Sequence, residues 1–106
     1  MPSLKEQPTL NDFQQYVHAL EEERGFTEQT VLMKCLLMGE EVGELFRAIR
    51  KQEHIKMDKN GTQVGAIDEE LVDIFIYLCA IANRYDIDLE EAFRQKEIKN
   101  SQRRWE

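Results

Sequence analysis

Glu40-Glu41-Val42-Gly43-Glu44-Leu45 sets three carboxylates in the middle of an apolar run, and Glu69-Glu70-Leu71-Val72-Asp73-Ile74 repeats the device further along. Glu41 with Glu44, and Glu70 with Asp73, are spaced i, i+3. On a helix that spacing puts each pair on one face, with Cβ atoms roughly 5–6 Å apart. A face that should bury Leu and Ile therefore presents four acids. If the two helices pack together, carboxylates about 6 Å apart repel by about 3 kcal/mol per pair at an effective dielectric of about 20. Domains are only about 5–15 kcal/mol stable, so the repulsion has to be offset. A hard divalent cation with oxygen ligands is the simplest way to do that, Mg²⁺ first and Mn²⁺ as a substitute.

Outward from these pairs the chain reads as helices. The helix around the first pair runs from about Glu28 to Gln52, with Val31, Leu32, Cys35, Leu36, Val42, Leu45, Phe46 and Ile49 as its apolar positions. The helix around the second runs from about Ala66 to Tyr85. Upstream, Thr9 caps a helix with Phe13, Tyr16, Val17 and Leu20 at i, i+3, i+4, i+7, and Gly25 ends it. Downstream, Asp88 starts a fourth helix, with Glu91 as capping-box partner, reaching Arg103 or Arg104. Residues 54–65 read as a polar connector turning at Asn60-Gly61, and residues 1–8 as a flexible leader. No strand pair is evident. The expected class is all-α, a four-helix bundle-like single domain over residues 1–106. Ile74, Phe75, Ile76 and Tyr77 are consecutive, so the third helix is apolar on more than one face. One short subunit could hardly cover it, and a homo-oligomer is expected.

The 106 residues suffice for one core. A net charge of −7 argues against a nucleic-acid polymer or an anionic membrane as partner, since both need a basic surface. No apolar run approaches the ~20 residues of a membrane span. The first residues lack the apolar stretch of a signal peptide. The two cysteines, Cys35 and Cys79, sit in apolar helical patterns, which reads as buried free thiols in a cytoplasmic protein.

Other metal chemistries fit less well. Di-iron carboxylate bundles use Glu-x-x-His, but the second pair here ends in Asp73, and neither His18 nor His54 has a Glu three residues upstream; both read as surface histidines. Asp58-Lys59-Asn60-Gly61-Thr62 hints at a calcium loop, yet the sixth position, which needs Gly, is Gln63. No nucleophile–base set of the Ser-His or Cys-His kind is apparent. At the C-terminal end, Lys96, Asn100 and Arg103 share a face at i, i+4, i+7, with Lys99, Arg104 and Trp105 nearby. Basic residues there complement the helix dipole. They also suit a clamp for phosphates. Trp105 is placed to pack or to stack on a base.

The order Glu40-Glu41-x-x-Glu44, 25 residues, Glu70-x-x-Asp73, then a Lys/Asn/Arg cluster ending Arg103-Arg104-Trp105 resembles the MazG-type all-α nucleoside triphosphate pyrophosphohydrolases. The likeness covers roughly residues 28–105, and the double-acid signature is its specific part. It implies a helical bundle, a dimer or dimer of dimers, and Mg²⁺-dependent hydrolysis of a (deoxy)nucleoside triphosphate to the monophosphate and pyrophosphate, in nucleotide-pool cleansing. Two-module members exist, and this sequence reads as a single module. Carried over by position, Glu41, Glu44, Glu70 and Asp73 are implied metal ligands. Glu40 is implied either to ligate a second ion or to orient the attacking water. Lys96, Asn100 and Arg103 are implied triphosphate contacts, from the same chain or a neighbouring subunit. The rival reading is a non-catalytic acidic helical module holding a structural cation or a basic partner; a third is hydrolysis of another pyrophosphate compound. Convergence of the acids separates the enzymes from the module.

Overall fold

The computed structural model describes residues 1–54 and 66–103. The expected connector turn at Asn60-Gly61, the segment from Asp58 to Thr62, Arg104 and Trp105 lie outside them. Four helices follow in order: α1 (Leu10–Arg24), α2 (Val31–Gln52), α3 (Ile67–Arg84) and α4 (Leu89–Ser101), with one 3₁₀ turn at Phe26–Glu28. No strand occurs among the described residues, so the class is all-α as read from the sequence. None of the helices is long and apolar enough to cross a membrane.

Local chemistry sets the boundaries. Thr9 accepts a hydrogen bond from the Asp12 amide, and the Asp12 carboxylate accepts one from the Thr9 amide at 2.8 Å, a complete capping box. Gly25 ends α1 at φ 74°, the left-handed conformation in which only glycine escapes a Cβ penalty. α2 starts later than expected: the chain first makes the 3₁₀ turn, and Thr30 then caps the helix by accepting from the Met33 amide at 3.1 Å. Asp88 caps α4 by accepting from the Glu91 amide at 3.2 Å.

The chain divides into two compact units, Met1–Glu28 with the chain from Cys79 onward, and Gln29–Leu78. The first is built on α1, the end of α3 and α4. Its apolar core includes Val17, Leu20, Cys79 and Ala82. Burial pushes the Cys79 thiol up to about 11. Gln14, only 5% exposed, joins three segments. Its side-chain amide donates to Asn83 Oδ1 at 3.1 Å and to the Ile87 carbonyl at 2.8 Å, while its Oε1 accepts from the Leu89 amide at 2.9 Å. Asn83 returns a bond to the Gln14 carbonyl at 2.9 Å. Arg84 Nη2 donates to the carbonyls of Phe26 and Thr27, both at 3.2 Å, and pairs with Glu21 at 3.5 Å. The leader is tied to α1 by Met1 N–Glu23 at 3.1 Å and Lys5–Asp12 at 3.2 Å.

The second unit is built on α2 and the greater part of α3. Lys34 and Ala48 are buried on the side of α2 that also carries Glu41. Lys34 Nζ donates to Gln29 Oε1 at 3.2 Å. Two expectations need correction here. Cys35 is exposed, because its position on the helix turns it away from that buried side; both cysteines are free. The surplus apolar surface is also not at Ile74–Tyr77, which are half-buried, but at Leu71, Val72 and Leu78 on α3 and, more strongly, at Leu32, Leu36 and Phe46 on α2.

Candidate metal centre

The second unit brings three of the four predicted ligands together. Glu41 on α2, and Glu70 and Asp73 on α3, each offer a carboxylate oxygen, and these oxygens lie within 4.8 Å of one another. Helical spacing aims the α3 pair: Glu70 and Asp73 stand one turn apart, and both meet Glu41 across the helix pair. Burial grades the three, with Glu70 buried, Glu41 half-buried and Asp73 exposed, so the cluster opens to solvent on the Asp73 side.

Glu44, the fourth, falls outside this group. It sits one turn along α2, where Arg47 Nη1 donates to its Oε1 at 3.4 Å. It remains close enough for its charge to act on Glu41. Glu40 is exposed.

The electrostatics record the crowding. Burial first, then a hydrogen bond to the Glu70 carboxylate and the charges of Asp73, Glu70 and Glu44, raise the Glu41 carboxyl from 4.5 to about 7. Glu70 Oε2 is buried, and no hydrogen-bond donor among the described residues reaches it. A buried carboxylate oxygen without a partner is costly. A shared proton, a bound water or a cation can satisfy it. An all-oxygen donor set of high negative charge, with one buried orphan atom, fits a hard divalent ion and does not fit a soft one.

Tyr77 was not singled out by the sequence as part of this region. Burial, then the charges of Glu41, Asp73 and Glu40, push its phenol above the ordinary range. The signal was present: Tyr77 is i+4 from Asp73 and i+7 from Glu70, hence on the acid face of α3, but it was read only as one of four consecutive apolar residues.

Of the basic set, Lys96 and Asn100 are on α4 and Arg103 follows its Gln102 cap, because the helix ends at Ser101, short of the expected Arg103; all three are in the first unit. Lys96 and Arg103 are exposed. Asn100 is half-buried; its Nδ2 donates to Glu97 Oε1 at 3.2 Å, while its buried Oδ1 has no hydrogen-bond partner among the described residues. The expected surface histidines are on the surface, His18 beside Glu22 at 3.1 Å. A groove of ≈ 990 Å³ along α4, lined by Leu10, Phe93, Arg94 and Ile98 among others, contains none of the four acids. Its lining includes Glu90, Glu91 and Glu97 beside Arg94, but the three clustered ligand carboxylates lie in the second unit.

Comparison with known proteins agrees with this geometry. The family model described as the MazG nucleotide pyrophosphohydrolase domain matches residues 26–105. The chain belongs to that family. Two Bacillus subtilis proteins are similar to it over most of its length. The uncharacterized protein YvdC of Bacillus subtilis (strain 168) is 27% identical over 100 residues, 89% of this chain and 94% of that protein. The crystal structure of the "putative pyrophosphatase YPJD" from Bacillus subtilis superimposes with a TM-score of 0.76 at 27% identity, covering 94% of this chain and 100% of that one. The MazG fold and the double-acid signature coincide here, and the chain is a nucleotide pyrophosphatase, a hydrolase of acid anhydrides. MazG-type enzymes are divalent-metal dependent, and the carboxylate cluster supplies the matching donors.

Proposed function

We propose that this MazG-type hydrolase uses Mg²⁺, with Mn²⁺ able to substitute, to convert a (deoxy)nucleoside triphosphate and water into the monophosphate and pyrophosphate. The observation that carries the reading is the convergence of Glu41, Glu70 and Asp73 around a buried Glu70 oxygen that no donor among the described residues reaches. These three would hold the ion, and Glu44, one turn along, completes the set. When bound, a divalent ion polarises phosphoryl oxygens and lowers the pKa of its water.

The chain's own groups divide the remaining work. Glu40 accepts a proton from the attacking water and orients it, or serves a second ion. Lys96 and Asn100 on α4, with Arg103 just beyond its end, bind the phosphates and stabilise charge on departing pyrophosphate, from the same chain or from a second copy. Trp105 stacks on the base, on sequence grounds alone. Two free cysteines suit a reducing compartment, and we assign the protein to the cytoplasm as a homo-oligomeric house-cleaning enzyme with no polymer or membrane partner.

A panel of nucleoside triphosphates, with Mg²⁺ and with EDTA, tests the reading when pyrophosphate and orthophosphate are measured separately. Stoichiometric pyrophosphate and monophosphate, dependent on Mg²⁺, are expected. Orthophosphate alone would reassign the scissile bond. Silence across the panel would replace the enzyme with the acidic interaction module.

A further inference from the structure

Glu41, Glu70 and Asp73 converge, and Glu44 stays apart from them. The reason lies on α2. Around a helix Glu44 lags Glu41 by about 60°, and Arg47 lags Glu44 by about 60° more. A guanidinium at position 47 therefore draws the Glu44 carboxylate along the rim of the cluster, away from Glu41. Arg47 Nη1 donates to Glu44 Oε1 at 3.4 Å, and among the described residues no other donor reaches Glu44. Glu44 is not remote, because its charge is one of those that act on Glu41. The side chains of Arg47 and Glu44 are 44% and 37% exposed. Glu44 can thus change rotamer without opening a core.

We propose that Arg47 is a positioning residue that holds Glu44 off the carboxylate cluster in the metal-free protein, and that Glu44 becomes the fourth ligand only by leaving Arg47. This rests on the reading of the cluster as a metal centre, and it adds the residue that sets the affinity of that centre. A fourth carboxylate beside Glu41, Glu70 and Asp73 would add like-charge repulsion to a site already crowded enough to raise the Glu41 carboxyl. Pairing Glu44 with a guanidinium relieves that repulsion while the site holds no ion. The relief is taken from metal affinity, since the same pairing is given up when Glu44 ligates. An exposed ion pair at i, i+3 is a weak interaction. The contact therefore opens readily, and it tunes affinity rather than blocking the site. Spacing also selects the partner. Arg47 is one turn from Glu44 but nearly two turns from Glu41 and about 120° around the helix from it. Of the two acids on α2, one is committed to the cluster and the other is held in reserve.

The test counts bound ion and does not use turnover. Free Mn²⁺ is followed by electron paramagnetic resonance as the full chain is titrated, for the parent, Arg47→Gln, Glu44→Ala and the double variant. Glu44→Ala should weaken Mn²⁺ binding by about tenfold, through loss of one carboxylate ligand. Arg47→Gln should tighten it by about threefold, the scale of an exposed ion pair. In the Glu44→Ala background the same substitution should tighten binding far less, because no carboxylate is left to release. Equal ratios in the two backgrounds would mean that Arg47 acts on the ion through its charge alone, and would overturn the proposal. So would an Arg47→Gln protein no tighter than the parent, or a Glu44→Ala protein that binds as the parent does. Melting supplies a second readout with opposite signs. Arg47→Gln should melt lower than the parent in EDTA, yet gain more than the parent from the same subsaturating Mn²⁺. Equal losses in both conditions would leave Arg47 a merely structural role and overturn the proposal as well. A parent that takes up no Mn²⁺ would remove the metal centre itself, whereas equal ratios remove only the role of Arg47, so the two failures are distinct.

Discussion

Gln14 and Glu70 are both polar and both buried, 5% and 6% exposed, and they are treated in opposite ways. Gln14 spends its donors and its acceptor on Asn83, Ile87 and Leu89 at 2.8–3.1 Å. Glu70 Oε2 has no donor among the described residues, and two further carboxylates approach within 4.8 Å. A satisfied buried amide fixes how chain segments join. An unsatisfied, crowded carboxylate costs stability and persists where something outside the chain completes it. The difference separates a polar group kept for architecture from one kept for chemistry.

The sharpest way to break the comparison is to neutralise the functional side. Glu41→Gln removes one charge and one strong ligand at nearly constant shape. Turnover of a nucleoside triphosphate should fall about a thousandfold or more, since metal-assisted charge stabilisation is worth several kcal/mol. The fold should survive. Near-parental pyrophosphate release from this variant would remove Glu41 from the ligand set.

Gln14→Ala tests the architectural side. It deletes three hydrogen bonds and orphans the Leu89 amide and the Ile87 carbonyl, a cost of about 2–4 kcal/mol. Urea denaturation should show that loss, while turnover per folded molecule stays within about twofold. A stability change under about 0.5 kcal/mol would mean the network is replaced by water at no cost.

Metal linkage sharpens the contrast at somewhat smaller amplitude. An ion that binds only the native state at a hundredfold excess over its Kd stabilises by about 2.7 kcal/mol. Mg²⁺ or Mn²⁺ should therefore raise the melting temperature, and Asp73→Asn should remove most of the gain. Superimposable melts in Mg²⁺ and EDTA would speak against any ion at the cluster.

The smallest effect is a pH slope. The Glu41 carboxyl rises from 4.5 to about 7 in the native state. Between those values the folded chain keeps a proton that the unfolded chain has released. Stability of the metal-free protein is thus greatest below about pH 4.5 as far as this group is concerned, and declines as pH rises toward 7. Melting in EDTA across pH 5–8 should show the decline; saturating Mg²⁺, or Glu41→Gln, should flatten it. A slope that Glu41→Gln leaves untouched would place its origin elsewhere.

Much of this was legible in the amino-acid sequence because it is local. Thr9, Gly25 and Asp88 act within one turn of themselves, so helix ends follow from them. The i, i+3 spacing of the acids is a property of any helix, and it alone set Glu41, Glu70 and Asp73 on usable faces. The all-α class and the MazG signature rest on such short-range patterns. Other features depend on which side of a helix finds a neighbour. Periodicity marked Cys35, Leu32 and Leu36 as one stripe with Leu45, yet α2 is apolar on two sides and only packing against α3 chose the buried one. The same choice separated Glu41 from Glu44, left Glu70 Oε2 without a donor among the described residues, and put Tyr77 among acids. Burial, desolvation and the field of four nearby carboxylates are sums over residues far apart in the chain. A one-dimensional pattern names the groups that can take part; only the tertiary structure decides which of them meet.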